Sequence, residues 1–190
     1  MSASPRRSLV FRGWRRLKQR AGALPGAERG ATALEFALVA TPYIIMVMAA
    51  FELCFVYALS TSLDSAVAAA ARQIMTGQLQ NSGTATSATF KTQICNNLGW
   101  LASECQSNLS VNVQTFTAFG SITQPSVKNN GAFTTQNLIF NMGAAGDIVM
   151  VNAYYQWPLM TPYLSGALNA TGSNQAIIES TFAFRNEPYG

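Results

Sequence analysis

The chain has no histidine, which removes histidine-based triads, histidine metal sites and the usual proton shuttle near neutral pH. Charge is scarce too: Asp, Glu, Lys and Arg make up 11% of the 190 residues, against about 25% in an ordinary soluble domain. Three cysteines and no histidine leave a zinc shell incomplete, since Cys95 and Cys105 would fill only half of one and Cys54 lies far from them in the sequence. No nucleophile and base stand at a spacing that marks a catalytic pair. The run G-A-A-G-D at Gly143–Asp147 lacks the strand, helix and spacing of a nucleotide fingerprint and reads as a turn entering a strand. The sequence therefore predicts no enzyme, no cofactor and no metal.

What charge there is lies at one end. Arg6, Arg7, Arg12, Arg15, Arg16, Lys18, Arg20 and Arg29 are eight of the twelve basic residues, and Glu28 is the one acid before position 31. The first thirty residues carry +7 of a chain whose net charge is +4, so the remainder is acidic. Such an arm could bind nucleic acid or anionic lipid. Next to an apolar segment it reads instead as a topology signal, and no nucleic-acid partner is expected. Residues 1–30 thus form a flexible or weakly helical cytoplasmic leader, with Pro25 and Gly26 discouraging a helix from running through.

The apolar run follows at once. Phe36 to Phe51 carry no formal charge, and the wider region from Ala31 to Leu59 holds only Glu35 and Glu52 as ionised groups. A membrane helix needs about 20 residues to cross a hydrocarbon core of about 30 Å. Glu35 and Glu52 are seventeen positions apart, roughly 26 Å along a helix at 1.5 Å per residue. Each carboxylate can then sit near one interface, and Glu52 reads as a membrane-interface acid whose side chain snorkels to water. Pro42 falls inside the span, where neighbours can repair the backbone bond it removes. Beyond it, Asp64 to Met75 is rich in alanine and is followed by Gly77. The helix should continue outside the bilayer as an Ala-rich stalk capped by that glycine, serving either to bundle with other helices or to pack on its own domain.

Residues 78–89 are a linker by composition. Phe90, Ile94, Leu98 and Leu101 recur at helical spacing. After them the period changes to two: Leu109–Phe119, Asp147–Trp157 and Ala176–Arg185 read as strands, with Asn137–Met142 as a short fourth. Val149, Val151, Ala153, Tyr155 and Trp157 should share a face, as should Ile178, Ser180, Phe182 and Phe184. The fold class is α+β: a long transmembrane and stalk helix over 31–77, then an extracytoplasmic domain over 78–190 of one short helix and an antiparallel sheet. Cys95 and Cys105 fall in that exported domain, where oxidising conditions favour a disulfide; Cys54 lies in the span and reads as a small apolar filler.

One constellation goes beyond hydropathy. Gly30, Ala31, Thr32, Ala33, Leu34, Glu35 and Phe36 stand after the basic arm and before the apolar core, whereas a secretory signal is cut after its apolar core. This string resembles the processing site of type IV prepilins and, more closely, of TadE-like pseudopilins. Phe184–Tyr189, F-R-N-E-P-Y, resembles the closing motif of TadE-like ectodomains, and the strand opened by Gly146 and Asp147 is also similar. The resemblance implies a small pilin-like domain, a prepilin peptidase that cuts between Gly30 and Ala31, and Glu35 with Phe36 acting in assembly and register. It implies as partners other pilins or pseudopilins, the inner-membrane pilus platform and membrane lipid.

The function so implied is that of a minor pseudopilin of a Tad-type pilus, amino terminus in the cytoplasm and ectodomain exported. A typical fibre subunit of that system is a very short peptide, and this chain carries a large domain. The same layout also fits an uncleaved, single-pass, membrane-anchored binding module of the periplasm.

Overall fold

The structure, a computed structural model, describes residues 27–161, 164, 168 and 174–189. Its layout is α+β. The described residues fall into two compact units, one up to Met46 and one from Val47 onward. Most of the basic leader, residues 1–26, lies outside the described residues.

A single helix, α1, is assigned over Ala27–Met75 with Pro42 inside it. Around the proline the hydroxyl of Thr41 donates to the carbonyl of Ala37 at 2.7 Å. Among the described residues the first unit holds only this helix, and nearly all of the side chains described there are exposed.

In the second unit α1 changes character. Leu59, Leu63, Ala66, Val67, Ala70, Ala71 and Ile74 are buried and belong to one hydrophobic cluster with the domain. Their recurrence at three and four residues places them on one face. The Ala-rich stretch therefore packs on its own domain, the second of the two uses the sequence allowed. α1 stops at Gly77, whose φ of +74° suits a residue without a β-carbon.

The polar linker is partly structured. Helix α2 occupies Gln78–Asn81, and α3 occupies Ser87–Asn97. α3 begins earlier than the apolar period indicates because of a reciprocal cap: Thr86 accepts from the Thr89 N–H at 3.1 Å while Thr89 accepts from the Thr86 N–H at 2.8 Å. A 3₁₀ turn at Gly99–Leu101 leads into α4 at Ala102–Asn108. Cys95 of α3 and Cys105 of α4 form a disulfide with a Cα–Cα separation of 5.5 Å.

Strands β1 (Leu109–Phe116), β4 (Ile148–Pro158) and β5 (Gln175–Arg185) make an antiparallel sheet in the order β1-β4-β5. The register pairs Val113 with Val151 and Val151 with Phe182, so the alternating residues read from the sequence do share a face. That face, with Leu109, Val111, Val113, Val149, Val151, Ala153, Tyr155, Ile178 and Phe184, joins the α1 residues and Phe90 and Ile94 of α3 in the core.

Three expectations need correction. Asn137–Met142 is no ladder strand: it makes one parallel bridge, Phe140 to Val113, with the Val113 N–H donating to Ile139 and the Asn141 N–H to Val113. β1 ends at Phe116, short of Phe119. A small hairpin, β2 (Lys128–Asn129) and β3 (Ala132–Phe133), was not anticipated. The outer face of the sheet is also partly covered, since Asn112, Met150, Asn152 and Tyr154 are buried. A polar row holds it: Asn112 Nδ2 donates to Asn152 Oδ1 at 3.3 Å, Asn152 Nδ2 donates to Thr181 Oγ1 at 2.9 Å, and Asn112 Oδ1 accepts from the Ile139 N–H at 2.9 Å.

Candidate membrane and assembly helix

α1 offers two surfaces. From Leu34 to Tyr57 it exposes large apolar side chains, among them Phe36 (74% exposed), Val39, Ile44, Met46, Phe51 and Phe55. A contiguous apolar surface of this size on a water-soluble protein would be a liability and marks a membrane or partner surface. Among the described residues this is the one helix long and apolar enough to cross a membrane.

Gly30 and Ala31 lie inside the helical span that begins at Ala27. A β-carbon on Gly30 would meet nothing within 4 Å among the described residues, which give no steric reason for glycine there. Ala31, Glu35 and Phe36 are exposed. Glu35 follows Ala31 by four residues, which puts both on one helix face.

Residues 30–72 match the family described as TadE-like protein. The resemblance read from Gly30, Glu35 and the apolar run thus has independent support over that segment, 43 of the 190 residues. The TadE-like match lies wholly within α1 and holds the Gly30–Phe36 string, the exposed apolar surface and most of the core-facing residues. No curated protein and no solved structure matches the chain.

Glu52 departs from its expected role. It does not snorkel to water: it is 5% exposed, and its two carboxylate oxygens accept the N–H groups of Met160 at 2.5 Å and Thr161 at 2.8 Å. The physical reason is a loop that sequence order places more than a hundred residues away. At the level of Glu52 that loop supplies two aligned donors, and a charge-assisted bond to backbone N–H competes well with solvation. Cys54, two residues on, is a free and exposed thiol.

At the other end of the helix's buried face, the closing F-R-N-E-P-Y motif forms a lock. The Glu187 N–H donates to the Met75 carbonyl at 2.9 Å. Asn186 Nδ2 donates to the carbonyls of Met142 (2.9 Å) and Ala144 (3.0 Å), and the Asn186 N–H donates to Asp147. Arg185 Nε donates to the Gly146 carbonyl at 2.8 Å. The turn G-A-A-G-D is closed by Asp147 Oδ2, which accepts from the Ala144 N–H at 2.8 Å. Both parts of the chain that carry the ectodomain resemblance therefore meet at the end of α1. Asn186 was not singled out beforehand; a polar residue buried to 2% exposure is a feature that only packing displays.

Proposed function

We propose that the chain is a minor pseudopilin, a structural and assembly subunit of a Tad-type pilus in the bacterial cell envelope. A prepilin peptidase removes the basic leader, residues 1–30, by cutting between Gly30 and Ala31. The segment 31–77 then serves as membrane span and stalk, and 78–190 as the exported domain. The amino terminus faces the cytoplasm, since the arginine-rich arm precedes the span. The partners are the peptidase, other pilins or pseudopilins, the platform in the inner membrane and its lipid.

The observation that carries this reading is the exposed apolar surface of α1, which opens four residues after Gly30 and includes Glu35 and Phe36 at its start. Cutting before Ala31 creates an α-ammonium one helical turn from the Glu35 carboxylate. That ammonium can pair with its own Glu35 or with that of a neighbouring subunit, and the second arrangement sets the axial register of packed helices. Because the face from Leu59 to Ile74 is occupied by the chain's own domain, the stretch from Leu34 to Tyr57 is what remains for helix-to-helix packing.

Intact mass and amino-terminal sequencing of the protein from its own membrane test the proposal. A mature chain beginning at Ala31 is expected; a native protein that keeps its leader would favour an uncleaved anchored module instead.

A further inference from the structure

The spacing of Glu35 and Glu52 along α1 leaves Glu52 at the edge of the hydrocarbon core. Their separation of seventeen residues corresponds to roughly 26 Å, against a hydrocarbon core of about 30 Å. The exposed apolar side chains also continue past Glu52, through Leu53, Phe55 and Tyr57. On the other side of the same turns Glu52 is buried, Val56 is half-buried and Leu59 is fully buried against the domain. At one depth, then, the helix has a lipid-suited face and a face covered by its own chain.

The covering loop follows β4, and its backbone is finished for an apolar setting. Pro158 has no N–H. The Leu159 N–H donates to the Asn174 carbonyl at 3.1 Å, and those of Met160 and Thr161 are taken by Glu52. The Leu159 carbonyl accepts from Asn174 Nδ2 at 3.1 Å, and the Thr161 carbonyl accepts from the Leu164 N–H at 3.1 Å. Irregular chain survives at membrane depth only when its polar groups are paired within the protein, and here every N–H of Leu159–Thr161 and the carbonyls of Leu159 and Thr161 are so paired.

Its side chains agree. Met160 is 76% exposed. With Met48, Phe51, Glu52, Phe55 and Trp157 it lines a small apolar cavity of about 70 Å³. The indole N–H of Trp157 is buried and has no acceptor among the described residues, and tryptophan is the residue that belts a membrane interface.

We propose that Leu159–Thr161 is a membrane-contact element. It lies in the headgroup and upper acyl region of the bilayer that holds α1, with Met160 as its lipid-facing side chain and Glu52 as the latch that brings it there. The occupant of this face is bilayer lipid. The inference rests on reading α1 as a membrane span.

The test uses the full-length chain with Cys54→Ser in vesicles of phosphatidylethanolamine and phosphatidylglycerol, with or without brominated acyl chains. A polarity-sensitive fluorophore is placed in turn at Met160→Cys, at Ile44→Cys within the span, and at Gln136→Cys on an exposed loop. The Met160 label should be blue-shifted and lose a fraction of its emission comparable with the Ile44 label, while the Gln136 label is unaffected. An Ile44 label that is quenched beside a Met160 label that behaves like Gln136 overturns the proposal and leaves the span standing. An unquenched Ile44 label overturns the span, and the proposal with it. Adding Glu52→Ala should return the Met160 label toward the Gln136 spectrum; undiminished quenching would remove Glu52 as the latch.

Discussion

Tyr189 lies against the backbone of Gly77 so closely that a β-carbon on Gly77 would collide with its ring. The contact joins the end of α1 to the closing motif of the chain, beside the bond from the Glu187 N–H to the Met75 carbonyl. Glycine is required twice over at this point, by the positive φ of 74° and by the approaching ring.

Gly77→Ala should therefore destabilise the domain by about 3 kcal/mol, from left-handed backbone strain and overpacking together. Thermal unfolding in detergent measures it. In a Tyr189→Ala background the overpacking part disappears, so the loss should shrink. An equal loss in both backgrounds would mean that the ring does not matter.

Glu52→Ala removes both acceptors for the Met160 and Thr161 N–H groups. Leaving one buried and one part-buried donor unpaired should cost about 1 to 3 kcal/mol of stability. Hydrogen exchange at those two amides should speed up more than exchange within β4. Unchanged exchange would show that water reaches the loop in the parent protein.

Tyr154 gives the domain an alkaline limit. Burial, and then the Glu179 carboxylate beside it, push its phenol well above the usual value of 10.0. A group whose folded pKa is raised contributes stability that is complete below its unfolded pKa and is lost as pH rises toward the folded one. Stability should hold to about pH 10 and fall above it as unfolded tyrosine ionises. Tyr154→Phe should flatten part of that decline in unfolding midpoints taken across alkaline pH; an identical slope would assign it to other groups, Tyr155 first, whose phenol burial also raises.

At the leader, Gly30→Ala should leave an uncleaved precursor although nothing crowds that position, because the demand for glycine there comes from the peptidase. Glu35→Ala should be processed yet assemble poorly. Immunoblotting separates precursor from mature chain and pilus yield scores assembly. Normal piliation by both variants would contradict the proposed role.

The linear order of residues determined a good deal by itself. The length of the uncharged apolar run yields α1, and alternation yields the three ladder strands and the faces of β4 and β5, because span length and alternation are local consequences of backbone geometry. The Gly30–Phe36 string and the Cys95–Cys105 disulfide were legible for a similar reason: each depends on a short stretch and its compartment. Tertiary structure decided the rest. Phe140 bonds to β1 instead of forming a strand of its own, the alanines of the stalk turn inward to the domain, and Asn186 becomes a buried hub. Above all it decided Glu52, whose partners Met160 and Thr161 lie 108 and 109 residues further on. A carboxylate's role depends on which donors reach it, and no local pattern encodes a donor brought in by the folding of a distant loop.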